Sequence, residues 1–275
     1  MDTEKMEQIK KIALINGFTD ARAASWGEGS VLVLFANYMP IHEMNPCRIG
    51  MSAYYVASNR GYKNALAVEE ALIAIGIRAK RDTTLPAQQA ALACGGWIGK
   101  NGFYYHPEFG SLVHIQTIVL EDKIECAQFS SQAKCSDCSI CIAACPAGAI
   151  TESGADYSRC LRNHMNGVIP DELKPYIYQL YGCEKCQTAC PINKKADTTV
   201  KTFDLEETIK GQTLPELQRL AGKNIARTVR TINQAILYAA NVGNTSVGPV
   251  VLELAHDVRF ADACRYYLEA QKKKD

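Results

Sequence analysis

No apolar run in this chain is long enough to span a bilayer. The longest, VLVLFANYM at 31–39, is about half of the roughly 20 residues that a membrane helix needs. Neither sign of charge dominates: 30 Lys and Arg stand against 29 Asp and Glu, a net of +1, so no global basic field marks the chain for nucleic acid. Low-complexity segments and a clear interdomain linker are missing too. The N-terminus, MDTEKMEQIKKIALINGF, alternates acids and bases around a short apolar stripe, without the basic start and apolar core of a signal peptide. These absences lead us to expect a cytoplasmic protein with no membrane association. In that compartment paired disulfides are unusual, and clustered cysteines bind metal or carry redox chemistry.

What the chain does have is 275 residues, 47% of them hydrophobic, enough for one large or two to three small domains. Met6, Ile9, Ile12, Ala13 and Ile15 share roughly one helical face, and Gly17 stops the pattern. SVLVLFANYM at 30–39 reads as a buried strand closed by Pro40. RGYKNALAVEEALIAI at 60–75 reads as an amphipathic helix with Leu66, Leu72 and Ile73 on one face, ending at Gly76. A further helix should start near Pro86 and break at Gly95 and Gly96, and LVHIQTIVLED at 112–122 reads as a second strand. Strands and helices thus alternate through residue 122, as in an α/β layer. Residues 203–271 return to helical patterning, with Ile225, Val229, Ile232, Ile236 and Leu237 as one face and a break at NVGNTSVGP.

Between those regions, from about 126 to 195, periodicity fades and nine of the twelve cysteines fall. Cys135, Cys138, Cys141 and Cys145 follow C-x2-C-x2-C-x3-C, with Pro146 next, which is the ligand string of a bacterial two-cluster ferredoxin. In that string three thiolates wrap one cluster and the fourth reaches the other. A second run, CEKCQTACP, supplies Cys183, Cys186 and Cys190 but lacks a leading cysteine, Tyr181 and Gly182 standing ahead of it. Cys160 is the best candidate for the missing ligand. The resulting sets are Cys135, Cys138, Cys141 and Cys190 for one 4Fe–4S cluster, and Cys145, Cys160, Cys183 and Cys186 for the other. Zinc is the competing reading, but a continuous string of this kind and eight thiolates are foreign to zinc sites. Cys47, Cys94, Cys126 and Cys264 are read as isolated thiols without a ligand role.

The order LACGGWIGKNGFYYHPEFGSLVHIQTIVLED, the cysteine string, Cys160 and GVIPDELKPYIYQLYGCEKCQTACPINK resembles the epoxyqueuosine reductase family, cobalamin-dependent iron–sulfur enzymes related to the corrinoid reductive dehalogenases. The similarity covers roughly residues 30–245 and is densest at 86–195. It implies an α+β chain in three parts: a nitroreductase-like α/β cobalamin-binding domain (1–125), a two-cluster ferredoxin-like module (126–200) and a helical-repeat C-terminus (201–275). Fewer residues precede the 30–39 strand than in the family, so the chain looks like a shortened member.

The resemblance further implies that two 4Fe–4S clusters reduce cobalamin to Co(I), which removes the epoxide oxygen of epoxyqueuosine in tRNA while a carboxylic acid donates a proton. RDTTLP matches the family's D-x-x-P region with one extra residue, making Asp82 the proton donor; partial burial and a raised pKa would suit that role. On its residues alone Asp82 is equally a helix cap. Gly95, Gly96, Trp97, Gly99, Lys100 and Asn101 would contact the cofactor, while the bland reading of GGWIGKNG is a helix C-cap and loop with Trp97 in the core. His106 and His114 are not assigned to cobalt. Lys223, Arg227 and Arg230 form a possible phosphate-contacting helical face for a tRNA partner. An electron donor such as flavodoxin or ferredoxin is expected. Alternatives are a corrinoid reductase for another substrate, such as an organohalide, and a non-enzymatic electron carrier.

Overall fold

The computed structural model describes residues 2–39, 45–124, 135, 137–193 and 201–273. They group into two compact units, each assembled from separated stretches: Met1–Tyr38, Ala57–Ser139 and Cys190–Ala196 in the first, Met39–Val56, Ile140–Ala189 and Asp197–Asp275 in the second. This grouping is interleaved along the chain, whereas the three-part reading of the composition is contiguous. Cys126 lies outside the described residues.

The first unit is built on a four-stranded sheet, antiparallel throughout, in the order Asp20–Trp26, Gly29–Asn37, Val113–Leu120, Ala79–Arg81. The run at 30–39 is continuously apolar because both faces of its strand are covered. Leu32, Leu34 and Ala36 pack against Ile9 and Ala13 of the helix Asp2–Ile15 and Ala65, Val68 and Leu72 of the helix Ala53–Ala74. Val31, Val33 and Phe35 pack on the other side against Ala90, Ala91 and Cys94. An antiparallel strand buried on both faces needs no alternation of polar residues.

Two sequence-based faces shift. On Ala53–Ala74 the buried stripe is Ala65, Val68 and Leu72, while Leu66 and Ile73 are exposed, because small alanines rather than large side chains allow the helix to approach the sheet. Ile15 likewise falls outside the buried face of the first helix and is 84% exposed. The strand Asp20–Trp26 escapes detection, since DARAASW carries no apolar alternation. It is held by a two-residue hairpin loop in which Gly27 takes φ +58°, a conformation that suits the twist of paired strands.

In the second unit the helix Thr228–Val242 runs through the core, with Ile232, Ala235, Ile236, Leu237 and Tyr238 buried, whereas Val229 is partly exposed. It ends at Gly243, whose φ of +69° closes it in the left-handed conformation that glycine adopts without a Cβ penalty. The helices Leu205–Ile209, Leu214–Ala221, Gly248–Leu254 and Ala261–Lys272 complete the helical part. Residues 222–227 are not helical, so Lys223, Arg227 and Arg230 do not share one helical face: Lys223 sits in a turn, Arg227 caps the helix and Arg230 lies in its first turn. The physical cause is Gly222, which ends the preceding helix at φ +88°.

Among the described residues, no helix is long and apolar enough to cross a membrane.

Candidate iron–sulfur site

Every cysteine among the described residues is a free thiol. In the second unit Cys141 lies on the short helix Ile140–Ala143, and Cys145 follows it, its sulfur accepting the backbone N–H of Ala149 at 3.3 Å. Cys160 caps the helix Leu161–His164 in an extended conformation, and Cys186 lies on the short helix Lys185–Thr188 just after Cys183. Cys186 feels the charge of Cys183, Cys160, Cys145 and Cys141, and Cys183 that of Cys160. Cys145, Cys160 and Cys183, the other thiols of the second sequence-based set, thus lie within electrostatic reach of Cys186, as does Cys141 of the first set. Burial first, and then these like-charged neighbours, raise the Cys186 thiol; burial also pushes Cys183 up to about 11. Crowded, half-buried thiolates are costly without a compensating cation, so the donor set suits an iron–sulfur cluster. Among the described residues no three such side chains converge as they would around a single ion.

The second run is clamped by buried polar groups. Glu184, fully buried between Cys183 and Cys186, accepts hydrogen bonds from Ser52 Oγ at 2.7 Å, the Tyr54 N–H at 3.1 Å and Gln179 Nε2 at 3.2 Å. Tyr178 Oη accepts the Glu184 N–H at 2.7 Å. Where a leading cysteine would stand, Tyr181 is a core residue with φ +70°. Its N–H donates to Gln234 Oε1 at 2.7 Å, and its hydroxyl pairs with Thr231 at 2.7 Å.

In the first unit Cys190 is buried with Trp97 and Tyr105. Tyr105 Oη donates to Cys190 Sγ at 3.3 Å and accepts from Asn101 Nδ2 at 3.0 Å. Burial, then the Cys190 contact, raises the Tyr105 phenol, which stays protonated. Asn193 Oδ1 receives the Ser111 N–H at 2.7 Å. Cys135 and Cys138 are half-buried, and Cys94 and Cys264 are buried, while Cys47 is exposed.

Of the residues expected to touch a corrinoid, Gly95, Gly96, Trp97, Gly99 and Asn101 are buried, and Lys100 is half-buried. Gly96 has φ +90°, and a Cβ there would stand 2.4 Å from the Tyr105 carbonyl oxygen; one on Gly99 would stand 2.4 Å from the Tyr105 ring. These glycines thus admit tyrosines. Asp82 is partly exposed, and its Oδ1 accepts from Thr84 N at 2.8 Å and Thr84 Oγ1 at 2.6 Å. Those bonds hold its carboxyl below the ordinary value, opposite to the direction that suits a general acid. Nor does it cap the following helix, whose N-cap is Pro86. His106 is buried and engaged with Asp20 at 3.1 Å; Asp20 also holds Arg22. Reading residue by residue missed Tyr105, Tyr178 and Glu184; the one signal for them was that each adjoins a glycine or cysteine motif.

Residues 134–193 match the family model of the 4Fe-4S double cluster binding domain, and the module is of the iron–sulfur binding kind. The epoxyqueuosine reductase of Staphylococcus aureus is 30% identical over 146 residues, 52% of this chain and 37% of that protein. The chain resembles the epoxyqueuosine reductases. In structure it aligns over 98% of its length with 90% of the epoxyqueuosine reductase of Bacillus subtilis, at a TM-score of 0.78 and 19% identity. A second aligned epoxyqueuosine reductase structure holds an epoxyqueuosine-modified tRNA-Tyr stem loop, with 99% of this chain and 91% of that one covered, a TM-score of 0.77 and 19% identity. The mixed α/β fold is therefore that of epoxyqueuosine reductase structures. The aligned stretch spans 27% to 46% of the curated relatives it matches.

Proposed function

We propose that this chain is a cytoplasmic, cobalamin-dependent iron–sulfur reductase that converts epoxyqueuosine to queuosine in tRNA. The observation that carries the reading is a cysteine module of double-cluster type set within a fold that aligns with epoxyqueuosine reductases over 98% of the chain. The domain reading that goes with it is a nitroreductase-like part at 1–125, a ferredoxin-like module at 126–200 and helical repeats at 201–275.

In this reading Cys135, Cys138, Cys141 and Cys190 hold one 4Fe–4S cluster and Cys145, Cys160, Cys183 and Cys186 the other. Flavodoxin or ferredoxin supplies the electrons. A bound corrinoid supplies a low-valent cobalt centre that is both nucleophile and strong reductant. The glycine loop would meet it from an outer surface made by the exposed Ile98 and the half-buried Lys100, with Gly95, Gly96, Trp97, Gly99 and Asn101 forming the bed beneath. Asp82 donates the proton, after its carboxylate leaves the two Thr84 hydrogen bonds and is protonated. Arg227 and Arg230 line a cavity of about 480 Å³ and offer positive charge to tRNA phosphates.

The test is anaerobic incubation of the iron-reconstituted protein with cobalamin, a low-potential reductant and epoxyqueuosine-bearing tRNA, followed by mass spectrometry of the nucleosides. Queuosine is the expected product. No conversion by protein that holds both clusters and a corrinoid would overturn the tRNA substrate. Intact clusters with no corrinoid uptake would leave an electron carrier.

A further inference from the structure

We propose that Tyr105 sets the reduction potential of one cluster, its phenol donating a hydrogen bond to the ligand cysteine Cys190. The inference rests on the reading of Cys190 as a ligand. It assigns a task to a buried tyrosine that the proposed reaction leaves unused.

A phenol has a single proton, and which neighbour receives it depends on what already occupies the oxygen as donor. At Tyr105 the Asn101 amide donates to the hydroxyl oxygen at 3.0 Å, Ser111 makes a further contact with it, and the O–H donates to the Cys190 sulfur, 3.3 Å away. The ring cannot swing aside, because it stacks on Trp97 with centroids 5.5 Å apart and planes 13° from parallel. Tyr105 is 1% exposed and Cys190 is itself buried, so water does not compete for the sulfur.

Backbone N–H groups also reach cysteine sulfurs in this chain, as Ala149 does at Cys145. A side-chain hydroxyl differs because a single substitution removes it and leaves the ring in place. Adding one electron to a cluster increases the negative charge on its sulfurs, and a donor to sulfur stabilises that state more than the oxidised one. Hydrogen bonds to sulfur therefore raise the potential.

The test is a reductive titration with dithionite, followed by electron paramagnetic resonance, on the full chain after anaerobic iron reconstitution. Tyr105→Phe should keep the iron content and lower the midpoint of one cluster while leaving the other unchanged. The expected change is about tenfold in the reduction equilibrium, or about 59 mV for one electron. A second perturbation has the opposite sign: 3-fluorotyrosine at position 105 is a stronger donor and should raise the same midpoint. It also covers the case in which a phenylalanine variant loses its cluster. Unchanged midpoints in iron-loaded protein under both perturbations would overturn the tyrosine role and leave the cluster reading standing. Unsubstituted protein that takes up no iron would overturn both.

Discussion

Asp20 and Arg22, two residues apart on one strand, form a buried ion pair at 2.8 Å, and the same carboxylate holds His106 at 3.1 Å and Lys10 at 3.0 Å. Burial works against the charged carboxylate, but the hydrogen bonds from His106, Arg22 and Lys10 and the charge of Arg22 outweigh it and hold its pKa far below the ordinary value.

Replacing Asp20 by Asn should therefore strand Arg22 as an uncompensated buried cation and cost about 3 kcal/mol in chemical denaturation. Because the folded-state pKa is depressed, the stability that Asp20 supplies is complete above about pH 4 and is lost as pH falls toward the folded-state value. The gap between wild type and Asp20→Asn should narrow in acid.

Gly96→Ala should destabilise by about 1–3 kcal/mol through overpacking. Its new methyl would stand 2.4 Å from the Tyr105 carbonyl oxygen and 2.7 Å from the Tyr104 ring, on backbone already at φ +90°. Thermal unfolding reports the loss. Because Tyr105 would have to move, the midpoint of the Cys190 cluster should shift with it.

If Asp82 donates the proton, Asp82→Asn should lower turnover while iron content and corrinoid binding stay at wild-type levels. Thr84→Val removes the 2.6 Å hydroxyl contact to that carboxylate and should raise its pKa. An acid works in its protonated form, so the fall in kcat with rising pH should move to higher pH in Thr84→Val. A profile identical to wild type would take the proton-donor role from Asp82.

Cys160→Ala should damage one cluster alone. Iron per chain should fall from about eight to about four. Unchanged iron would overturn the placing of Cys160 among the ligands.

The cysteine string was legible because cluster ligation is encoded in local spacing, and Cys160, isolated in sequence, does stand near Cys183 and Cys186. The strands at 29–37 and 113–120 were legible as apolar runs. The antiparallel sheet was not, because alternation of strands and helices along a chain does not give strand direction. The edge strand at Asp20–Trp26 was hidden for a different reason: its buried residues include Asp20 and Arg22, which neutralise each other. The glycine loop invited a cofactor reading because positive φ and close approach look alike in sequence whether the neighbour is a ligand or, as at Gly96 and Gly99, the chain's own tyrosines. Asp82 was legible as a turn residue, but its partner Thr84 and the sign of its pKa shift depend on geometry that no spacing rule carries.

Tyr181, just ahead of Cys183, is held through its N–H by Gln234 and through its hydroxyl by Thr231. Both partners belong to a helix that leaves the ribosome some forty residues after the second cysteine run has been made. During synthesis that run is therefore complete in its thiols well before it is complete in its supports. The Cys183 and Cys186 stretch gains the Tyr181 anchor only once residues 231 and 234 have been made, and a chain stalled before residue 231 would display its cysteines with Tyr181 unanchored.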